Sequence, residues 1–358
     1  MKYFFIVQGE GRGHMTQAIS LSQILRNAGH EVVQVIVGKS PKRNIPEFFF
    51  EKIGAPVELL ASPNFVTDKK HKSVKPFRTI VYTFLKSPRY RKSISKIHEL
   101  VQATEPDVIL NFYDFLGGLY NYIHRPKAKF IVLAHQYLLS HPEFTFPEGR
   151  RFDRITLLMA NRITRLGADK ILALSFQPFA DYPKKKMVVV PPLIRKEVAD
   201  LKASDEGHLL VYMVNPGYGE EVERFHTSHP NIPIHCFWDK KDTPVEWKVD
   251  DTLTFHHLND QKFIEKMASA RGYVTTAGFE SVCEAMYLGK PTMMIPVAGH
   301  YEQACNAVDG QKAGAGVPHD EFDLTVLIDY LPYYRDVSGW FKRWANRNKE
   351  IFLKQLAG

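Results

Sequence analysis

Apolar residues in this chain gather in short runs, and the segments between the runs carry a helical repeat. Tyr3 to Val7 is unbroken and apolar, which reads as a strand covered on both faces. From His14 to Asn27 apolar positions recur at helical spacing, Gly29 stops the helix, and Val32 to Val37 reads as a second strand. Val108–Leu110, Phe130–Leu133, Lys170–Leu174 and Met187–Val190 continue the series at helix-length intervals. Strands alternating with helices predict a parallel sheet with helices on both faces.

Pro191-Pro192 interrupts this pattern, and a polar stretch over 202–207 follows. A second alternation then begins, with strands expected at Leu209–Val214, Pro233–Phe237, Thr252–Phe255, Gly272–Thr275 and Thr292–Ile295. Helices are expected at about Asp260–Ala270, Glu280–Leu288 and Glu302–Lys312, and one amphipathic helix over Gly339 to Leu356. The fold class is therefore α/β, with two doubly wound Rossmann-like domains. The first covers 1–192, the second 193–337, and a C-terminal helix covers 338–358, with Pro191–Arg195 as the hinge.

At 358 residues the chain is longer than one hydrophobic core usually organises, which supports two domains. Hydrophobic residues at 44% and charged residues at 24% exclude a disordered or fibrous chain. The cysteines are Cys236, Cys283 and Cys305, without zinc-ligand spacing, so neither a disulfide framework nor a metal site is expected. The first apolar run is too short for a signal peptide, and no run approaches the ~20 residues of a membrane span. These features predict a cytoplasmic protein.

The net charge of +8 is concentrated, because ten lysines and arginines between Asp68 and His98 face the single acid Asp68. Two readings of Lys69 to Lys96 stay open: a solvated helical face, or an interfacial patch that meets anionic lipid as a peripheral membrane contact. No nucleic-acid module accompanies the charge, so nucleic acid is not an expected partner.

Chemistry is expected first where the first strand ends. Gln8-Gly9-Glu10-Gly11-Arg12-Gly13-His14 opens the first helix, and Gly11 and Gly13 are candidates for a turn that lets backbone approach a ligand. His14 is either a proton acceptor facing the sheet's carboxyl edge or a capping residue. Asp114 is either the carboxylate that orients it or the N-cap of the helix after Val108–Leu110. In the second half, Thr275-Thr276-Ala277-Gly278-Phe279-Glu280-Ser281 reads as strand, tight turn and helix, a seat for a diphosphate. Glu284 follows within that helix, where a carboxylate can accept hydrogen bonds from sugar hydroxyls.

This second stretch resembles the GT-B glycosyltransferases, specifically the inverting UDP-glycosyltransferases and the peptidoglycan N-acetylglucosaminyltransferase. The spacings of Gly278 to Glu284 and of Glu284 to Pro291 match both, and Glu302-Gln303 with Asn306-Ala307 resembles the motif that closes the signature. The resemblance extends to Pro106–Leu110 and Ala134-His135-Gln136. Glu280 and Thr276 stand where plant-type members carry asparagine and histidine, so those members' donor preference does not transfer.

The resemblance implies two domains facing across a cleft, with the last helix packing back on the first. It implies that Glu284 holds ribose hydroxyls, that Thr276, Gly278 and Ser281 sit by the diphosphate, and that Glu302 and Gln303 read the donor sugar. His257-Leu258 would hold the base through backbone groups, and Asn215-Pro216-Gly217 would form a further phosphate-side turn. His14 takes the place of the general base and Asp114 that of its orienting acid.

The implied reaction is inverting, metal-independent and without a cofactor. A nucleotide-sugar would donate to an acceptor hydroxyl, and lipid-linked and cell-envelope acceptors are both in view. A nucleotide-sugar 2-epimerase and a non-catalytic nucleotide-sugar-binding protein are the alternatives.

Overall fold

A computed structural model describes residues 1–40, 44–63, 87–213, 216–240 and 243–357. The chain divides into two compact units. Unit 1 comprises Met1–Phe144, Gly149–Leu193 and Arg347–Gly358, and unit 2 comprises Thr145–Glu148 and Ile194–Asn346. The changeover at Leu193 falls one residue from the expected boundary, but each unit also takes a piece the sequence reading had assigned elsewhere.

In unit 1 the strands are β1 (Lys2–Gln8), β2 (Glu31–Lys39), β3 (Val57–Ala61), β4 (Val108–Phe112), β5 (Lys129–Ala134), β6 (Lys170–Leu174) and β7 (Met187–Val190). They form one parallel sheet in the order β3-β2-β1-β4-β5-β6-β7. The helices are α1 (Arg12–Asn27), α2 (Glu47–Ile53), α3 (Pro88–Thr104), α4 (Phe115–His124) and α5 (Arg151–Thr164). Tyr3 to Val7 are completely buried, as a central strand covered on both faces requires. Gly29 ends α1 in the left-handed region, with the His30 N–H closing on Leu25 O.

Unit 2 repeats the plan. Helix α6 (Lys196–Ala199) leads into β8 (Leu209–Tyr212), α7 (Gly219–Ser228), β9 (Ile234–Trp238), β10 (Glu246–Lys248), β11 (Leu253–His257), α8 (Asp260–Ser269) and β12 (Gly272–Thr275). Then come α9 (Phe279–Tyr287), β13 (Thr292–Met294), α10 (Tyr301–Lys312), β14 (Gly316–Pro318), α11 (Thr325–Tyr330) and α12 (Ser338–Ala345). The sheet order is β10-β11-β9-β8-β12-β13-β14, parallel except for β10.

In each sheet the first strand has its successors on one side and the later strands on the other. That reversal lies between β1 and β4 in unit 1 and between β8 and β12 in unit 2. Loops leaving such a switch point diverge to opposite faces and open a crevice at the strands' carboxyl ends.

The expected single helix over 339–356 is two helices, α12 and α13 (Asn348–Ala357). Helix α12 stays in unit 2, where Tyr287 Oη donates to Asn346 Oδ1 at 3.2 Å. Helix α13 belongs to unit 1. It buries Phe352 and Leu356, and its last carbonyls accept from Tyr3 Oη and Lys170 Nζ. Among the described residues no helix is long and apolar enough to cross a membrane.

Candidate active site

The carboxyl edge of β1 in unit 1 carries His14 on the first turn of α1. None of Gly9, Gly11 and Gly13 adopts a left-handed backbone, so the expected glycine turn is made with ordinary dihedrals. Gly9 is required by space: a Cβ there would lie 2.7 Å from Val37 Cγ1. Gly11 is the N-cap of α1 with no side-chain cap, and a Cβ on it would meet nothing within 4 Å. Glu10 Oε1 accepts from the Ser40 N–H at 2.6 Å, which ties this turn to the end of β2.

His14 is buried, with 7% of its surface exposed. Its Nδ1 faces Gln17 Oε1 at 3.3 Å and its Nε2 faces Gln136 Nε2 at 3.3 Å. An acceptor at Nδ1 and a donor at Nε2 select the neutral Nδ1–H tautomer. Burial pushes the imidazole pKa down to about 4, against a smaller upward pull from Gln17. The ring stacks on Tyr113 at 5.6 Å, Tyr113 Oη donates to Asn161 Oδ1 at 2.5 Å, and Asn161 Nδ2 donates to Gln136 O at 2.5 Å. A ring of contacts through three other side chains thus holds the histidine.

Asp114 is not part of that ring. Its Oδ1 accepts from the Leu116 N–H at 2.7 Å and from Ser62 Oγ at 2.8 Å, so it caps α4. Its Oδ2 has no partner and points at Gly38, where a Cβ would sit 2.0 Å from it. No hydrogen bond joins Asp114 to His14, and the expected orienting pair is replaced by Gln17. Burial raises the Asp114 pKa to about 7, with the Leu116 and Ser62 bonds pulling the other way.

In unit 2 the turn after β12 runs through buried Thr276 to Ala277, whose φ of 59° is left-handed without being glycine. Asn306 Nδ2 on α10 donates to Ala277 O at 3.0 Å and holds this conformation. Gly278 is then the N-cap of α9 in extended backbone, with no side-chain cap. The strained position is therefore Ala277. Gly278 instead leaves the helix start without a side chain. Ser281 Oγ donates back to Gly278 O at 3.2 Å.

Glu284, 3% exposed, lies farther along α9. Both its oxygens are engaged by Arg195: Nε meets Oε1 at 2.5 Å and Nη2 meets Oε2 at 2.7 Å. Arg195 Nη1 also bonds Asp260 Oδ1 at the start of α8. The carboxylate expected to accept from sugar hydroxyls is half of an ion pair. Gln303 Oε1 accepts from the Val297 N–H at 2.8 Å and so shapes the loop after β13, beside half-buried Glu302. The His257 N–H is bonded to Val245 O, which removes that one group as a donor to a base.

Residues 1–333 match the family described as glycosyl transferase family 1. The chain belongs to that family. Over 392 residues it is 23% identical to an uncharacterized glycosyltransferase of Methanosarcina acetivorans, covering all of this chain and 94% of that protein. Over 343 residues it is 22% identical to the UDP-N-acetylglucosamine–N-acetylmuramyl-(pentapeptide) pyrophosphoryl-undecaprenol N-acetylglucosamine transferase of Limosilactobacillus reuteri, covering 90% and 87%. Among solved structures, Phytolacca americana UGT2 complexed with UDP-2fluoro-glucose and pterostilbene superposes with a TM-score of 0.66. The two are 13% identical, over 97% of this chain and 94% of that one. The fold is GT-B, and family membership brings glycosyltransferase activity on nucleotide sugars.

For this family 1 chain, one sheet edge in unit 2 gathers Gly217 after β8, Leu258 after β11, Thr276 and Gly278 after β12, and Gln303 behind the loop after β13. Asn215 lies outside the described residues, as does Lys69 to Lys86 of the basic segment. The rest of that segment is in α3, where Arg89, Arg91 and Lys92 are exposed while Ile94 and Ile97 face inward, an arrangement that both readings of the segment share. Among the described residues no cluster of three His, Cys, Asp or Glu could hold a metal ion.

Sequence reasoning missed Arg195, Gln17 and Tyr113, and it read Asn306 as part of the closing motif without its bond to Ala277 O. Gln136 stood in the family-like run Ala134-His135-Gln136, but nothing in its spacing announced a contact with His14.

Proposed function

We propose that the chain is an inverting, metal-independent glycosyltransferase that moves a sugar from a UDP-sugar to an acceptor hydroxyl. The observation that carries this reading is the start of α9, an uncapped N-terminus at a switch point with a buried carboxylate farther along the same helix. A helix start without a side-chain cap, together with the helix dipole, suits a diphosphate and stabilises it most when it leaves with full charge. Glu284 suits the ribose hydroxyls. A UDP donor is supported by the nucleotide named for the Limosilactobacillus enzyme and in the Phytolacca complex.

His14 of unit 1 then takes the acceptor's proton as the oxygen attacks the anomeric carbon. Neutral imidazole is the form a base requires, and Gln17 Oε1 accepts from Nδ1–H while positive charge builds on the ring. Gln136 Nε2 must release Nε2 as the acceptor hydroxyl arrives. A lipid-linked acceptor is supported by the name of the Limosilactobacillus relative and by the exposed cations of α3.

Calorimetry with UDP, followed by transfer or hydrolysis assays with UDP-N-acetylglucosamine and UDP-glucose, tests the reading. His14→Ala is expected to lower kcat by about 10²–10⁴ while UDP binding holds, with an inverted product by NMR and no effect of EDTA. A chain that binds no nucleoside diphosphate, or a fully active His14→Ala, overturns it.

A further inference from the structure

We infer that Arg195 is a positioning residue of the donor site, holding the Glu284 carboxylate in the orientation that accepts the ribose 2′-hydroxyl and so setting a preference for ribose over 2′-deoxyribose. The inference rests on the nucleotide-sugar reading above.

Three observations point to it. The first is geometry. The guanidinium meets Glu284 side-on, one N–H to each oxygen, while its third nitrogen bonds Asp260. A carboxylate has about four lone-pair positions, so this engagement leaves one on each oxygen. The fork takes the two convergent lone pairs, so those left point away from each other, and one oxygen of the rigid plane can accept one ribose hydroxyl.

The second is burial. The side chains of Glu284 and Arg195 are 4% and 11% exposed. A carboxylate so deeply buried requires a counter-charge, and a planar fork fixes its plane as a lysine would not. Buried pairs of this kind add little net stability compared with apolar replacements, so stability alone does not account for the pair. The third is placement. Glu284 follows Gly278 by six residues, about 9 Å along the helix axis, and that suits a ligand whose phosphates sit at the helix start and whose ribose lies farther back. One cation between two acids leaves a local excess of negative charge. It favours hydroxyl donors and turns phosphates toward Gly278.

The test is calorimetry on the full chain with UDP and 2′-deoxy-UDP, for wild type, Arg195→Ala and Arg195→Lys. Wild type is expected to bind UDP about 10-fold or more tighter than the deoxy compound, the worth of a hydrogen bond to a charged acceptor. In Arg195→Ala the UDP affinity falls and the ratio collapses toward one, while Arg195→Lys recovers part of it. A purely structural role would weaken both ligands alike and leave the ratio intact, which overturns the inference. Tighter UDP binding by Arg195→Ala overturns it too, because Arg195 would then be a competitor for Glu284. Should Arg195→Ala fail to fold, the ratio in Arg195→Lys and Asp260→Asn decides, an unchanged value in both counting against it. Wild type silent to UDP defeats the nucleotide-sugar reading itself, a result distinct from UDP bound with an unmoved ratio.

Discussion

In unit 1 the turn after β4 runs through Tyr113 and Asp114 into α4, and in unit 2 the turn after β12 runs through Thr276, Ala277 and Gly278 into α9. Each follows the strand across the switch point from its sheet's first strand. Each places a left-handed non-glycine residue just before the N-cap, Tyr113 with φ 62° and Ala277 with φ 59°. An asparagine braces each: Asn111 bonds both the N–H and the carbonyl of Asp114, and Asn306 bonds the Ala277 carbonyl. The caps differ. Asp114 satisfies the Leu116 N–H with its own carboxylate, whereas Gly278 offers the start of α9 no side chain. The first turn is closed on itself and serves to place Tyr113 against His14. The second has no side chain at its cap position, as the proposed diphosphate seat requires.

Installing the unit 1 solution in unit 2 breaks that contrast with the largest effect. Gly278 has φ −71°, acceptable to any residue, and a Cβ there would be 3.6 Å from Ser281 Oγ, an ordinary contact. Gly278→Asp should therefore fold, and it gains about a few tenths of a kcal/mol from capping. Its carboxylate occupies the diphosphate seat, and like charges so placed cost several kcal/mol, so UDP affinity should fall by about 1000-fold. Melting temperature and calorimetry measure the two halves. UDP affinity unchanged in a stabilised variant would show that the diphosphate sits elsewhere.

The converse change acts on stability and is read through pH. Asp114 has a folded pKa of about 7, far above the usual range near ~3.9. Between those values the folded state keeps a proton that the unfolded state has lost. Its contribution is complete below about pH 4 and is lost as pH rises through about 7. Burial drives His14 and His135 down to about 4, so their contributions run oppositely and fade as pH falls below about 6.5. The difference between wild type and Asp114→Asn isolates the carboxyl. The variant should be more stable at pH 8 by on the order of 2–4 kcal/mol, with the gap closing toward pH 4. Parallel stability curves across that range would show that the Asp114 carboxyl titrates in the folded protein as it does in the unfolded chain.

How much of this was legible in the sequence follows from where each residue sits. Central strands such as β1, β6 and β12 are continuous apolar runs, and the sequence reading found them to within a residue or two. Of the edge strands β7 was found, whereas β3, β10 and β14 went unseen, because Glu58, Glu246 and Lys248 interrupt any apolar run and β10 and β14 are only 3 residues long. The break between α12 and α13 was invisible because Phe341, Ala345, Phe352 and Leu356 stay in helical phase across it. At the site, Gly278, Glu284 and His14 were found because a glycine or a charge after a strand is a local signal. The Arg195–Glu284 and Asp114–Ser62 pairs join residues 89 and 52 positions apart, and no local pattern encodes them.

The smallest effect concerns the two strained residues. Ala277 is completely buried, so Ala277→Gly relieves a left-handed alanine worth about 1 kcal/mol, yet loses a buried methyl worth about 0.8 kcal/mol and frees the unfolded chain. These nearly cancel, and the variant should unfold within about 0.5 kcal/mol of wild type in urea. Binding is the sharper readout. If the strain serves to aim the start of α9, the glycine, free to leave that conformation, weakens UDP affinity while stability barely moves. If affinity is untouched, Asn306 alone fixes the turn, and the match between Ala277 and Tyr113 reflects how a strand enters a helix at a switch point and nothing about the ligand.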